Sequence, residues 1–291
     1  MASVTIVIPV FNRAAYLPRL FRSLEAVDYE DLEVLLVDNG STDNSLSLCR
    51  SFAEDAPMVV HILQEPRQGA CYARNLGLDT CKTEWIYFFD SDDELSPTFL
   101  EETLPQAQDY DLIAFPTRLK ENGVTKVRAF CPSPKAASQI LSATLSTQSM
   151  IFRTDFLRRI GGWDVRLSVW QDWELGIRAL LAEPRILWLG ENAYHTIYIH
   201  PDSLTGPSMY SRMEARLEAV RIAEAQLKTA ADIRALYLRR RILNGMLQRE
   251  VVSPLPPTPH VAAALRLYGD LLQTYVAHGG RGAWRLAKMV C

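Results

Sequence analysis

Residues 85–93 read Trp-Ile-Tyr-Phe-Phe-Asp-Ser-Asp-Asp, an uninterrupted apolar run that ends directly in an acidic cluster. Such a run is typical of a short strand that is buried on both faces of a parallel sheet. Residues 4–8, 32–37 and 59–63 are also mostly apolar and are predicted strands, and helical patterns separate them. Strands that alternate with helices indicate right-handed βαβ units. The sequence therefore predicts the α/β fold class, with a mostly parallel central sheet flanked by helices.

Polar residues follow three of these strands at the point where each strand ends. The three segments are Pro9-Val10-Phe11-Asn12-Arg13, Asp38-Asn39-Gly40-Ser41 and Asp90-Ser91-Asp92-Asp93. Parallel sheets of this kind bind ligands outside the carboxyl ends of their strands. We therefore expect the three segments to form one binding site.

The acidic cluster at residues 90–93 carries the strongest local signal. Its three carboxylates, on Asp90, Asp92 and Asp93, repel one another unless a cation or hydrogen bonds offset the charge. Hard oxygen ligands of this type suit Mg²⁺ or Mn²⁺. An acidic cap for a helix that begins near Pro97 would explain the same residues, because helix starts favour Asp and Glu. The cluster alone leaves both interpretations open.

The charge balance and the remaining composition argue against several classes of protein. The 291 residues include 31 Lys and Arg against 34 Asp and Glu, a net charge of −3, which disfavours nucleic-acid binding through bulk charge. No stretch is long and apolar enough for a membrane span. The N-terminus lacks the pattern of a secretory signal, and the five cysteines show no zinc-binding spacing. We therefore expect a reduced, cytoplasmic protein with no nucleic-acid partner.

The chain changes character after about residue 207. Between the acidic cluster and that point, the sequence predicts three further strands and a helix. The strands are residues 112–115, 124–130 and 148–152, and the helix is residues 172–181. After it the pattern is helical and rich in arginine, with a proline-rich break at residues 253–259. An apolar stripe flanked by basic residues fits docking against the rest of the chain or against a second copy in a homodimer. It also fits peripheral contact with an anionic membrane surface.

Six motifs occur in an order that resembles glycosyltransferase family 2, a family of nucleotide-sugar transferases with the GT-A fold. They are residues 3–12, 37–43, 69–75 and 88–93, then Gly161-Gly162-Trp163-Asp164 with Gln171-Asp172-Trp173-Glu174-Leu175, and finally residues 198–205. The resemblance implies a catalytic domain at residues 1–206, with a nucleotide-sugar-binding half at 1–95 and an acceptor-side half at 96–206. Residues 207–291 would form a helical C-terminal region.

The resemblance implies a nucleotide pocket at the ends of the first two strands. Pro9, Phe11 and Arg13 would line it, with the Phe11 ring against the base or ribose, although an aromatic ring here also suits an ordinary core. Asp38 would accept a hydrogen bond from the base, or make a local turn bond instead. Asn39 stands where family members often have a second Asp. Because of that departure, the sequence does not decide whether the donor is a uridine or a thymidine diphosphate sugar.

The resemblance also implies a diphosphate site between a helix start and the acidic cluster. Gly69 would begin the loop beside the ribose and phosphates, where Arg74 neutralises phosphate charge or pairs with a carboxylate. Asp90 would face the ribose, while Asp92 would bind an Mn²⁺ or Mg²⁺ ion that bridges the diphosphate and Asp93 adds charge. Such a cation would stabilise the departing nucleoside diphosphate.

His200 and Asp172 complete the implied site. His200 would be a further metal ligand or a diphosphate contact, although a histidine in an aromatic segment also suits a structural role. Asp172 would be the general base that takes the proton of the acceptor hydroxyl, or simply an acidic residue of a helix start. Glu174 is its near competitor, and helical spacing lets only one of the two face the pocket. Trp170 and Trp173 would stack on sugar or pack in the core, with core packing favoured for at least one of them.

Together these expectations describe an inverting, metal-dependent glycosyltransferase. It would move a sugar from a UDP- or dTDP-linked donor to a hydroxyl of a glycan or lipid-linked glycan acceptor, in polysaccharide or glycoconjugate assembly. A non-catalytic nucleotide- or sugar-binding module on the same scaffold is the alternative. A sugar nucleotidyltransferase is disfavoured, because residues 9–13 lack the glycine-rich loop that such enzymes carry after the first strand. A dehydrogenase is disfavoured because no GxGxxG follows that strand.

Overall fold

The fold is built on a seven-stranded sheet. A computed structural model describes residues 2–190, 192–200, 212–249, 263–278 and 280–289 of the chain. In chain order the strands are β1 (Val4–Val10), β2 (Leu32–Asp38), β3 (Val59–Gln64), β4 (Trp85–Phe88), β5 (Leu112–Ala114), β6 (Arg118–Glu121), β7 (Val124–Val127), β8 (Met150–Arg153), β9 (Ile186–Trp188) and β10 (Thr196–Ile199). The large sheet has the order β3-β2-β1-β4-β8-β5-β9, and β10-β6-β7 form a second, three-stranded sheet.

Neighbouring strands of the large sheet run parallel except where β8 pairs antiparallel with β4 and β5. The predicted mostly parallel sheet is therefore confirmed, with one reversed strand. The register aligns Val10 of β1 with Asp38 of β2, and Val7 of β1 with Phe88 of β4. The carboxyl ends of β1, β2 and β4 consequently lie side by side, which brings the three polar segments to one edge of the sheet.

Helices cover both faces of the large sheet. They are α1 (Leu17–Glu25), α2 (Ser45–Asp55), α3 (Ala70–Thr80), α4 (Phe99–Thr103), α5 (Ala136–Ser142), α6 (Thr154–Arg159), α7 (Gln171–Leu181), α8 (Met213–Glu224), α9 (Ala230–Arg249), α10 (Ala263–Ala277) and α11 (Ala283–Lys288). In α1, Leu17, Leu20 and Leu24 recur at helical spacing and are all buried. Pro18 lies in the first turn, where its missing N–H costs no helical hydrogen bond.

The hydrophobic core has one layer on each face of the sheet. In β1, Ile6 points into one layer and Val7 into the other, and both are fully buried. The Ile6 layer also holds Leu20 of α1, and the Val7 layer holds Leu175 of α7. Because both faces of the strand are covered, its sequence is apolar apart from Thr5 and does not alternate.

The C-terminal helices α8 and α9 share the Val7 layer. Val220 of α8 and Leu236 of α9 are buried in it together with Ile140 of α5, so the apolar side of these helices docks on the rest of the chain. The predicted helical run is interrupted between α8 and α9, at residues 225–229. The predicted domain boundary after residue 206 and the proline-rich break lie outside the described residues. Within the described ranges, no helix combines the length and apolarity needed to traverse a bilayer.

The small sheet ties the later part of the chain to the acidic cluster. β6 and β7 form a hairpin around Asn122 and Gly123, whose φ angles of 49° and 80° match the predicted turn. β7 ends at Val127, so the strand predicted at residues 124–130 is shorter than expected. β10 pairs with β6, and Thr196 at its start forms a bridge with Glu94. This bridge holds β10 against the loop that follows β4.

Candidate active site

Asp90 lies two residues after the end of β4, where two side chains from other elements hold its carboxylate. Arg74 of α3 donates from Nη2 to Oδ1 at 2.8 Å, and Gln148 donates from Nε2 to Oδ2 at 2.6 Å. Arg74 is itself buried, so its charge is weakly screened and offsets that of Asp90. The first carboxylate of the cluster is therefore bound within the protein on both oxygens.

Asp93 is almost fully buried on the other side of Gln148. The same amide nitrogen donates to Asp93 Oδ2 at 2.6 Å, and the Tyr198 backbone N–H donates to Oδ1 at 2.8 Å. Gln148 thus joins two acidic side chains, a role that the sequence did not suggest. The one available signal was a polar residue at the start of the strand predicted at residues 148–152.

The acidic cluster is electrostatically unfavourable when all its members are ionised. Burial raises the pKa of Asp90, Arg74 lowers it, and the charge of Asp92 raises it again. Burial and the charges of Asp92 and Asp90 raise the pKa of Asp93 well above its usual range. A divalent cation at this cluster would offset the repulsion.

The Asp92 side chain contacts residues other than those that hold Asp90 and Asp93. Its Oδ2 lies 2.8 Å from Nε2 of His200 and 3.9 Å from Nε of Arg13. The His200 ring stacks on Tyr16, with ring centroids 4.6 Å apart. Arg19 of α1 donates to the Asp92 backbone carbonyl. The structure therefore brings together three residues that the sequence analysis assigned to the site, namely Asp92, His200 and Arg13.

The Asp92–His200 pair has the donor chemistry of a divalent cation site. Adjacent ligands of an octahedral Mg²⁺ ion lie about 3 Å apart, close to the spacing of this pair. Among the described residues, no three His, Cys, Asp or Glu side chains converge as a complete metal cage would require. Mg²⁺ at phosphate sites often takes one or two protein ligands and completes its shell with phosphate oxygens and water. The pair therefore fits a cation that is shared with a bound diphosphate.

The loops after β1 and β2 are tied to each other. Asn12 adopts a left-handed backbone conformation, with φ 52°, and its Oδ1 accepts from the Thr42 backbone N–H at 2.8 Å. The Arg13 backbone N–H donates to Ser45 Oγ at 2.8 Å. Phe11 directly precedes these two anchored residues and has 45% of its surface exposed, although a residue of its size is usually covered. Its ring is therefore available to a ligand.

Asp38 is the last residue of β2 and Asn39 follows it, and their side chains make different contacts. Asp38 is buried, and its Oδ1 accepts from the Ser41 backbone N–H at 3.2 Å. Asn39 donates from Nδ2 to the carbonyls of Glu65 and Arg67, at 2.9 and 2.7 Å, and accepts from the Gly69 N–H at 2.8 Å. An Asp could not donate these two bonds. Asn39 therefore shapes the loop before α3, whereas Asp38 uses one carboxylate oxygen in the turn that follows β2.

Arg74 links the acidic cluster to the start of α7. Its Nη1 donates to Gln171 Oε1 at 2.7 Å while Nη2 holds Asp90, and the guanidinium lies 4.5 Å from the ring centre of Trp163. Gln171 is the first residue of α7 and directly precedes Asp172. A single buried side chain thus connects Asp90 to the residue that precedes Asp172.

Asp172 is half-buried at the first turn of α7. It accepts backbone N–H groups from Trp173 at 2.8 Å and from Thr147 at 3.4 Å. Its charge contributes to the raised pKa of Asp90, so the two carboxylates lie within electrostatic range of each other. Glu174, in contrast, is buried and pairs with Arg178 through bonds of 2.9 and 2.7 Å. Glu174 therefore has a structural role, in an ion pair with Arg178. Among the ion pairs of the described residues, none includes Asp172.

Two tryptophans flank Asp172 in different environments. Trp173 is buried and donates its indole N–H to the Ile140 carbonyl at 3.1 Å, so it is a core residue. Trp170 is half-buried and is the N-cap residue that precedes α7, with φ 56°, a left-handed conformation that is unusual for a bulky side chain. Backbone strain of this kind is concentrated at functional sites.

The amino-acid sequence is similar to those of known glycosyltransferases. The family model described as Glycosyl transferase family 2 matches residues 5–160. Glycosyltransferase GlyG of Streptococcus pneumoniae is 34% identical over 108 residues, which are 37% of this chain and 36% of that protein. The match to that curated relative thus covers little more than a third of its length.

Solved structures share the fold. S. aureus TarS 1–349, in complex with UDP-GlcNAc, has a TM-score of 0.70 at 18% identity, covering 99% of this chain and 90% of that one. Mannosyltransferase PcManGT from Pyrobaculum calidifontis, in complex with GDP-Man and Mn²⁺, has a TM-score of 0.61 at 16% identity, covering 99% and 79%. The expected GT-A fold is confirmed. Since the family model matches more than half of the chain, the protein belongs to glycosyl transferase family 2.

Proposed function

We propose that this protein is an inverting, metal-dependent glycosyltransferase that uses a UDP- or dTDP-linked sugar. The observation that carries the proposal is the position of Arg74, which binds Asp90 on one side and Gln171, next to Asp172, on the other. It supports a single cleft in which a donor diphosphate and a general base face the same sugar. In this proposal residues 1–95 bind the donor and residues 96–206 contribute to the acceptor side.

The donor nucleotide would bind at the ends of β1 and β2. Asp38 would accept the N3–H of uracil or thymine, since a buried carboxylate oxygen suits that donor group. The exposed Phe11 ring would stack on the base or ribose, with Pro9 beneath it. Arg13 and Asp92 would face the diphosphate.

Mn²⁺ or Mg²⁺ would be held by Asp92 and His200, with the remaining ligands supplied by the diphosphate and water. Such a cation stabilises the negative charge that grows on the leaving nucleoside diphosphate. The Mn²⁺ named with the mannosyltransferase neighbour is consistent with this chemistry. Asp90 would face the ribose, and Asp93, which Gln148 joins to Asp90, would add charge at the floor of the site.

The acceptor hydroxyl would lose its proton to Asp172. A single displacement inverts the anomeric centre and needs one base on the side of the sugar opposite the leaving group. The two backbone N–H bonds orient the Asp172 carboxylate, which keeps it in place for proton transfer. The acceptor would be a glycan or a lipid-linked glycan, in polysaccharide or glycoconjugate assembly.

A nucleotide-sugar panel tests the proposal. Thermal unfolding is measured with UDP, dTDP and GDP and their sugars, with and without Mn²⁺, because a ligand present at 100 times its Kd stabilises by about 2.7 kcal/mol. We expect stabilisation by UDP or dTDP that requires Mn²⁺, followed by donor hydrolysis or transfer. NMR of the transferred sugar should show the opposite anomeric configuration to the donor. Binding without hydrolysis or transfer would contradict the enzyme and favour a binding module.

A further inference from the structure

Two arginines from the C-terminal helices, one buried and one half-buried, lie over the ring of Trp170. The guanidinium carbons of Arg239 in α9 and Arg216 in α8 are 4.6 and 5.8 Å from the ring centre. Arg216 is only 6% exposed, and Arg212 stands one helical turn before it. Since Trp170 precedes Asp172 by two positions, this arginine cluster (Arg212, Arg216 and Arg239) lies beside the start of α7.

The cluster has no matching acidic side chain in the part of the chain that the structure describes. There, Nε and Nη1 of Arg216 and Nε of Arg239 are buried without a hydrogen-bond partner. Arg239 Nη1 reaches only a backbone carbonyl, that of Leu141, at 3.4 Å. Arg178 on α7 shows the usual arrangement for such a side chain, with a carboxylate at 2.7 Å. Buried guanidinium groups are ordinarily paired in this way.

The cluster is therefore unfavourable as it stands. Burial lowers the pKa of Arg216, and the charge of Arg212 lowers it further. Burial and the charge of Arg216 lower the pKa of Arg239 to about 10. A bound anion would offset these like charges and accept hydrogen bonds from the unpaired guanidinium N–H groups.

We propose that the arginine cluster binds a phosphate ester carried by the sugar acceptor. Guanidinium groups match phosphate oxygens with two parallel N–H donors, and the Trp170 face would keep them in position. The inference rests on the proposed role of Asp172, because a phosphate held here would place a neighbouring hydroxyl near that carboxylate. In the proposed function the donor diphosphate binds elsewhere, through the cation that Asp92 and His200 would hold. The phosphate is either part of a glycan chain or part of a lipid headgroup.

Phosphate binding is tested with inorganic phosphate as the probe. The full-length protein is first saturated with UDP and Mn²⁺, so that phosphate cannot occupy the donor site, and binding is measured by calorimetry. Arg216→Met should bind phosphate about tenfold more weakly than the unmodified protein, since it removes one charged donor pair. Arg221→Met is the matched control, because Arg221 lies on the same helix, is exposed and pairs with Glu218. Its phosphate affinity should not change.

Thermal stability separates a binding role from a structural one. Arg216→Met removes an unpaired buried charge and keeps an apolar side chain of similar length, so its Tm should stay the same or rise. Arg178→Met leaves Glu174 buried and unpaired, so its Tm should fall. A fall in the Arg216→Met protein comparable to that of Arg178→Met would overturn the proposal. Absence of phosphate binding by the unmodified protein would also overturn it.

The result remains distinguishable from a failure of the proposed function. Mn²⁺-dependent UDP binding tests the donor site alone, and we expect Arg216→Met to leave it unchanged. Two further probes identify the source of the phosphate: a soluble glycerol-phosphate oligomer, and vesicles of phosphatidylcholine containing phosphatidylglycerol. Binding to either probe that is lost in Arg216→Met supports the subsite and names its source. Equal binding by both proteins to both probes contradicts it.

Discussion

Asp92 Oδ2 lies 2.8 Å from Nε2 of His200, although 108 residues separate them in the chain. Asp92 follows β4 in the large sheet, whereas His200 follows β10 in the small one. The bridge between Glu94 and Thr196 holds the two sheets together next to this contact. The bridge thereby brings a second candidate metal ligand to the acidic cluster from a separate sheet.

This pair predicts which substitution should weaken the proposed metal binding. Asp92→Asn removes the charged ligand, so Mn²⁺-dependent UDP binding should weaken by about 100-fold or more, beyond what loss of an outer-shell partner costs. Calorimetric titration of UDP at fixed Mn²⁺ measures the change. Asp155→Asn serves as the control, since Asp155 lies at the surface and pairs with Arg158. Unaltered Mn²⁺ dependence in Asp92→Asn would remove Asp92 from the metal site.

Asp172→Asn should separate catalysis from donor binding. An amide cannot take the acceptor proton, so kcat should fall by about 10²- to 10⁴-fold, as expected for loss of a general base. The Kd for UDP should stay within about twofold, because the donor contacts are elsewhere. Steady-state kinetics measures kcat, and UDP titration measures the Kd.

Glu174→Gln is the comparison for this experiment. It loses the ion pair with Arg178 and should lower Tm while leaving the chemistry of Asp172 in place. If Asp172→Asn remained fully active and Glu174→Gln did not, the base would have to be reassigned.

Gln148 should stabilise the acidic cluster when no ligand is bound. Gln148→Leu removes the donor shared by Asp90 and Asp93, so the free energy of unfolding should drop by about 1–3 kcal/mol. Urea unfolding measures the drop. Gln106→Leu, at an exposed helix end, should have little effect. Equal stability of the Gln148→Leu and unmodified proteins would show that the two carboxylates do not depend on this amide.

His195 should make the fold sensitive to acid. It is fully buried, its Nδ1 accepts from the Ser96 N–H at 3.1 Å, and Phe99 packs edge-on against it at 4.3 Å. Burial lowers its pKa from 6.5 to about 3. The folded state therefore binds fewer protons than the unfolded state. Its stabilising contribution is complete above pH 6.5 and is lost as the pH falls towards 3.

Urea unfolding between pH 7 and pH 4 checks this expectation. Over this interval His195 should contribute a loss of about 1.4 kcal/mol per pH unit below its unfolded pKa, since one proton is linked to unfolding. His195→Gln should show a correspondingly flatter curve, whereas the exposed His278→Gln should follow the unmodified protein. Parallel curves for the unmodified and His195→Gln proteins would mean that His195 is not the acid-sensitive group.

The α/β class, the parallel strands and the convergence of the polar segments could be predicted from local patterns. A strand covered on both faces must be apolar throughout, as residues 85–89 are, and parallel strands bring their carboxyl ends to one edge. The acidic cluster and the candidate base were recognisable because their motifs are contiguous. Each of these signals depends on neighbours in the chain.

The contacts that organise the site were not predictable in this way. Gln148 joins Asp90 to Asp93 because the reversed strand β8 lies beside β4, and no periodicity distinguishes a reversed strand from a parallel one. Arg216 and Arg239 reach Trp170 only because α8 and α9 dock on the core that α5 and α7 share. Periodicity reports which side of an element is buried, whereas strand order and helix docking decide which distant side chains meet.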